Sequence, residues 1–311
     1  MTHTASITLS ETHAFRLVTA FDEDPALTHL AVDAVEEAPG RWRVTLYLPE
    51  APDEDLAASL ARATRALFGA AAPAFAIASL PETNWVAKSL QGLKPVRAGR
   101  FLVHGAHDRD TLRPNDIGIE IEAGEAFGTG HHGTTAGCLL AIERAVRARP
   151  IRNALDIGTG SGVLAIAIAR LARVPVLASD IDPVATRVAA ANVRLNGVQP
   201  QVHVVTEAGI GAGVFRANSP FDLIVANILA GPLVMLAPSI RRALAPGGTV
   251  ILSGLVPHQQ NRVAAAYRAA GLRFERAESR EDWMTLTFTL PHAGKTERRN
   301  RADTMTQIKA R

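Results

Sequence analysis

The chain has 311 residues, 47% of them apolar, which is too long for one small core and points to two domains. It has no run of about 18 uncharged apolar residues and no basic stretch followed by an apolar one at its start, and its one cysteine, Cys138, excludes a disulfide framework or a cysteine-based zinc site. The formal charge of +3 sits mostly in residues 291–311, with six Lys and Arg against two acids, so the rest is close to neutral and reads as a cytoplasmic enzyme.

Residues 1–81 read as a small α+β domain. A strand at 7–9 leads through Ser10, a helix-cap residue, to a helix at 14–21; strands at 30–35 and 42–48 turn at Pro39-Gly40. A helix at 53–68 follows, with Leu56, Leu60, Ala63 and Leu67 on one face, then a strand at 75–80. The order βαββαβ predicts a ferredoxin-like sandwich. His3, His13 and His29 are isolated, and nothing in this domain looks catalytic. Residues 82–115 form a connector that contains Trp85 and a short hairpin candidate at 96–103, with Gly92 and Gly99 as points of flexure.

The second domain, 116–290, opens with an apolar strand at 117–121. Next comes Phe127-Gly128-Thr129-Gly130-His131-His132-Gly133-Thr134-Thr135, a flexible loop capping an apolar helix that carries Leu139, Leu140, Ile142 and Val146. Cys138 falls on the apolar side of that helix. Adjacent histidines diverge and no third ligand is spaced to join His131 and His132, so no metal is expected.

A strand at 154–157 then runs into Asp156-Ile157-Gly158-Thr159-Gly160-Ser161-Gly162 and a helix. Glycines admit a ligand close to the backbone, and the helix start offers unpaired N–H groups, which suits a nucleotide-like ligand. A dinucleotide fingerprint needs its third glycine where this chain has Val163. A strand at 174–178 ends at Asp180, 22 positions after Gly158 and placed to accept ribose hydroxyls. Asp182 before Pro183 reads as a helix cap. Strands at 202–205 and 222–226, the latter ending at Asn227, precede a helix at 232–244. A Pro246-Gly247-Gly248 turn, a strand at 249–252, a helix at 261–270 and strands at 273–278 and 283–290 complete the domain. Residues 291–311 read as a disordered basic tail.

These motifs, with Asn227-Ile228-Leu229-Ala230-Gly231-Pro232, Asn84-Trp85-Val86 and Phe101-Leu102-Val103-His104-Gly105, closely resemble the PrmA family, the bacterial methyltransferases of ribosomal protein L11. The resemblance spans nearly the whole chain. It implies a class I methyltransferase domain of seven strands, one antiparallel, that binds S-adenosylmethionine (AdoMet) and methylates lysine side chains and the N-terminal amine of ribosomal protein L11. The small domain then recognises that partner, free or on the ribosome. Matched motif by motif, the cofactor contacts fall on Thr135, Gly158, Gly160, Asp180 and Asn227, and Asn227 is also the catalytic candidate that positions the amine. His131 or His132 is placed to accept a proton through water. A monomer is expected, with no metal and no membrane partner. Family members commonly have Thr-His-Pro where this chain has His131-His132-Gly133, and the tail after Pro291 is not part of the family pattern. Two rival readings remain: an enzyme that methylates amino groups of nucleic-acid bases, and a non-catalytic ribosome-binding protein on the same scaffold. The first needs an aromatic to stack the base, and Ile228-Leu229-Ala230 supplies none; the second has no use for an intact glycine turn and Asp180.

Overall fold

A computed structural model describes residues 3–24, 26–27, 30–38, 40–48, 50–69, 72–79, 95–121, 132–207, 210 and 213–292. The chain divides into two compact units, Met1–Asn84 and Trp85–Arg311. Trp85 and Gly92, the loop from Phe127 to His131, and the basic tail after His292 lie outside the described residues.

The first unit comprises β1 (His3–Leu9), α1 (Glu11–Glu23), β2 (Ala31–Ala38), β3 (Arg41–Leu48), α2 (Glu54–Phe68) and β4 (Ala76–Ser79). Its sheet has the order β2-β3-β1-β4, and every neighbouring pair is antiparallel. Alternate residues of a strand face opposite sides, so Ala5 and Ile7 of β1 join Val44 and Leu46 of β3 on one buried face. Leu17 and Phe21 of α1 and Leu60 of α2 cover that face. Asp53 caps α2 by accepting from the Leu56 N–H at 2.8 Å, but Ser10 does not cap α1 in this way. Its hydroxyl lies 2.9 Å from His13 Nδ1 instead.

The second unit starts with a separate sheet in the order β5-β6-β7, made of β5 (Val96–Ala98), β6 (Phe101–His104) and β7 (Ile117–Glu120). Then follow α3 (His132–Ala148), β8 (Ala154–Ile157), α4 (Val163–Ala172), β9 (Val176–Asp180), α5 (Pro183–Leu195) and β10 (Val202–Thr206). The chain continues through α6 (Gly213–Asn218), β11 (Phe221–Asn227), α7 (Ala230–Ala243), β12 (Leu244–Leu255), α8 (Gln260–Ala269), β13 (Arg273–Arg280) and β14 (Trp283–Thr289). The large sheet has the order β10-β9-β8-β11-β12-β14-β13, parallel except for β14, which is antiparallel to both neighbours. This is the class I methyltransferase sheet, and its strand order reverses between β8 and β11. Both faces are covered, as a parallel sheet requires. Ala154, Val176, Leu223 and Ile251 pack with α3, α4 and α5, whereas their neighbours Leu155, Leu177, Ile224 and Leu252 pack with α6, α7 and α8.

Three features differ from the sequence reading. Residues 96–111, expected in a connector, fold into the second unit, because Ala98, Phe101 and Val103 share a core with Leu139 and Ile142 of α3. Gly99 is the left-handed turn of that hairpin (φ 57°), and a Cβ there would overlap the Glu143 carboxylate, so it is a packed turn and not a hinge. The strand β7 pairs with β6 and not with the large sheet. It is clamped to the core of the second unit by Asn196, whose Oδ1 accepts from the Glu120 N–H at 3.0 Å and whose Nδ2 donates to the Glu120 carbonyl at 2.6 Å. Second, β12 begins at Leu244, and its ladder with β11 jumps from Phe221↔Leu244 to Leu223↔Thr249. Pro246-Gly247-Gly248 is therefore looped out within one strand. Third, α6 has no counterpart in the sequence reading.

Candidate functional site

The glycine turn is built on Asp156. This carboxylate lies inside an apolar strand at 1% exposure, and its Oδ2 accepts from Thr159 Oγ1 at 2.7 Å and from the Ala165 N–H at 3.1 Å. One side chain thus ties the turn to the first residues of α4. Its Oδ1 has no partner among the described residues. Burial pushes the carboxyl up to about 7, against the pull of Thr159 and Ala165 and with a further push from the charge on Asp180. Above this anchor the turn takes left-handed backbone at Gly158 (φ 67°), Gly160 (φ 54°) and Gly162 (φ 85°), a path that side-chain-bearing residues resist.

Register places the other candidates. Ile157 of β8 pairs with Ser179 of β9 on one side and Ala226 of β11 on the other. Gly158, Asp180 and Asn227 are therefore each one residue beyond a mutually paired row, at the carboxyl ends of three adjacent strands where the strand order reverses. Such ends are where open α/β sheets take their ligands. Asp180 Oδ2 accepts from the Gly160 N–H at 2.9 Å and its Oδ1 from the Asp182 N–H at 3.1 Å. Each oxygen then keeps a second lone pair. Ile181, next in sequence, is 74% exposed. Asp182 caps α5, accepting from the Val184 N–H at 2.7 Å. Asn227 Nδ2 donates to Thr134 Oγ1 at 3.3 Å, so the bond from the first turn of α3 comes from Thr134, while Thr135 beside it is half-buried. Cys138 is wholly buried, and its thiol is pushed up to about 12 by desolvation.

Ile228 packs against the end of β8 and the end of β12. A Cβ on Gly158 would overlap Ile228 Cγ2, and a Cβ on Gly254, at the end of β12, would overlap the Ile228 carbonyl and lie 2.8 Å from its carbon. Sequence reasoning missed Ile228, whose role rests on a non-local contact, and Asp156 and Thr134, each of which left a trace. Asp156 is a lone acid in the strand Ala154-Leu155-Asp156-Ile157, and Thr134 is one of a pair of threonines at a helix start. Among the described residues there is no group of three potential metal ligands and no helix long and apolar enough to cross a membrane.

A family model described as ribosomal protein L11 methyltransferase (PrmA) matches residues 4–291. The chain belongs to the ribosomal protein L11 methyltransferase family. The "Ribosomal protein L11 methyltransferase" of Rhizobium leguminosarum bv. trifolii (strain WSM2304) is 52% identical over 270 residues, covering 87% of this chain and 91% of that protein. That of Brucella abortus (strain S19) is 52% identical over 270 residues, covering 87% and 92%. The solved ribosomal protein L11 methylase of Lactobacillus delbrueckii subsp. bulgaricus is 30% identical with a TM-score of 0.57, over 64% of this chain and all of that one.

Family and fold together imply AdoMet as methyl donor, and the donor set at the three strand ends suits it. A carboxylate with two free lone pairs matches a vicinal diol, and an exposed isoleucine beside it offers apolar surface to a base.

Proposed function

We propose that this protein transfers methyl groups from AdoMet to lysine side chains and the N-terminal amine of ribosomal protein L11, acting as a cytoplasmic monomer. The observation that carries the reading is the row of Gly158, Asp180 and Asn227 one step past the paired residues Ile157, Ser179 and Ala226. Gly158 and Gly160 take the cofactor against the turn, Asp180 accepts its ribose hydroxyls, and Thr135 and Asn227 face it from the other side. The first unit, read as a ferredoxin-like module, docks the ribosomal protein.

AdoMet, when bound, supplies a methyl group on a cationic sulfonium. The attacking amine must be neutral, and with a free lysine pKa near 10.4 the neutral form at pH 7 lies about 4.6 kcal/mol uphill. Asn227 suits this task because it is uncharged. A carboxylate at the same place would favour the ammonium form, whereas an amide oxygen holds an N–H of the amine without stabilising its charge. Orientation between two fixed strand ends supplies the rest, and good positioning is worth about 7–11 kcal/mol.

The test is to incubate the protein with AdoMet and purified ribosomal protein L11 and locate the added methyls by mass spectrometry. Methyls on lysines and the N-terminal amine are the expected result. AdoMet binding without any transfer to that protein would assign the site to another substrate.

A further inference from the structure

The first turn of α3 is seated from behind as well as in front. Gly133 and Gly137 lie on one face of the helix, four residues apart. A Cβ on Gly133 would come within 2.6 Å of the Arg280 carbonyl and 3.3 Å of Trp283 Cδ1, and one on Gly137 would overlap Thr285 Oγ1. The helix start is therefore pressed onto the tip of the β13–β14 hairpin, where Glu281 and Asp282 form a turn with both residues left-handed (φ 48° and 63°). Thr134, one residue after Gly133, is 4% exposed and presents its hydroxyl to Asn227 Nδ2 at 3.3 Å. A threonine in a first helical turn ordinarily bonds only its own helix. This one also holds a residue from the end of the central strand.

The consequence concerns the direction of the Asn227 amide. An amide has a donor end and an acceptor end, and only the acceptor end can hold an N–H of an attacking amine with its lone pair free for the methyl group. We propose that Thr134 is a positioning residue for methyl transfer: it holds the Asn227 amide by its nitrogen, so that the oxygen is the end presented to the amine. This rests on the role of Asn227 proposed above. The packing of Gly133 and Gly137 gives the anchor its stiffness, because Thr134 cannot retreat without moving the hairpin.

The experiment compares Thr134→Val, which keeps shape and removes the hydroxyl, with Thr134→Ser, which restores it, each alone and with Asn227→Ala. Loss of the one neutral hydrogen bond that orients Asn227 should lower the kcat for methylation of ribosomal protein L11 by about ten-fold in Thr134→Val. AdoMet affinity by calorimetry should stay within about two-fold, and Thr134→Ser should recover most of the rate. In the Asn227→Ala background Thr134→Val should change kcat by less than about two-fold. Independently of activity, the two Nδ2 protons of Asn227 in the cofactor-free protein should give separated NMR signals in the wild type and in Thr134→Ser that draw together in Thr134→Val. Wild-type kcat in Thr134→Val, or an unchanged Asn227 signal, overturns the proposal. So does a parallel loss of rate, AdoMet affinity and melting temperature that serine does not repair. If Asn227→Ala itself keeps full kcat, the reading of Asn227 falls and this proposal with it; if Asn227→Ala is impaired and Thr134→Val is not, Thr134 alone is excluded. Should Thr134→Val not fold, Thr134→Ala is judged by the same rate, affinity and NMR criteria.

Discussion

The two main sheets of this molecule put their polar residues in opposite places. In the first unit the antiparallel sheet buries one face under both helices and leaves Thr8, Arg43 and Tyr47 exposed along β1 and β3. In the second unit the parallel sheet is covered on both faces; Asp156, Ser179 and Asp222 are buried within it, and Asp180 and Asn227 come at the carboxyl ends of β9 and β11. A half-open sheet offers a surface, whereas a closed one offers only its edges and ends. Recognition of a protein partner suits the first and chemistry on a small group suits the second, which is the division of labour proposed here.

The harshest way to break the comparison is to cut the chain in the wrong place. A fragment starting near residue 95 should fold and bind AdoMet like the full protein, but lose methylation of ribosomal protein L11. One starting near residue 116 should not fold, because it removes Phe101, fully buried in the methyltransferase core, and a large buried aromatic alone is worth about 3–5 kcal/mol. Thermal melts and calorimetric titration would check both fragments; equal melting temperatures would return β5 and β6 to the status of a linker. Next in size is Gly158→Val, which adds about 1–3 kcal/mol of backbone strain to the overlap with Ile228. AdoMet binding should vanish from a calorimetric titration of the full-length variant. Asp180→Ala should weaken AdoMet by about 1.5–3 kcal/mol, the worth of hydrogen bonds to a charged group, with the fold retained. Unchanged affinity would remove Asp180 from the site.

The smallest effect concerns pH. Asp156 has a folded-state pKa raised to about 7 from an ordinary 3.8, so between these values the folded state binds a proton that the unfolded state has lost. Its contribution to stability is complete below about 4 and drains away as pH rises towards about 7. Asp156→Asn cannot titrate. In denaturant melts across that window the wild type should lose stability relative to the variant, and parallel curves would show that burial does not hold the proton.

Much of the second unit was legible because parallel strands buried on both faces are written as short apolar runs ending in a polar residue. Val176-Leu177-Ala178-Ser179-Asp180 and Leu223 to Asn227 declare both the strand and its functional end. Other features were hidden for physical reasons. Pro246-Gly247-Gly248 looks like a loop because a bulge uses loop residues, although the strand continues through it. The β5–β6 hairpin looks like a connector because three- and four-residue strands carry little periodicity, and its place in the core depends on α3, some forty residues away. The Thr134–Asn227 bond spans 93 positions of sequence. A local pattern can nominate both residues but cannot join them.

Ile228 makes the evolution of this site a matter of order. Its side chain closes the space above Gly158 and its backbone closes the space above Gly254, so neither glycine is free to change while Ile228 stands. Ile228→Ala would empty the volume beside Gly158 and leave Gly254 as confined as before, since the obstacle there is main chain. As far as protein neighbours go, alanine at 158 then meets only the strain of its left-handed backbone, roughly 1 kcal/mol, whereas alanine at 254 still collides with main chain. A lineage could therefore reach a side chain at 158 only by shrinking residue 228 first, and could not reach one at 254 by any change of side chain at 228. The glycine that holds the cofactor turn is conditionally fixed and the glycine at the end of β12 absolutely so, an asymmetry that a deep mutational scan with paired substitutions would display directly.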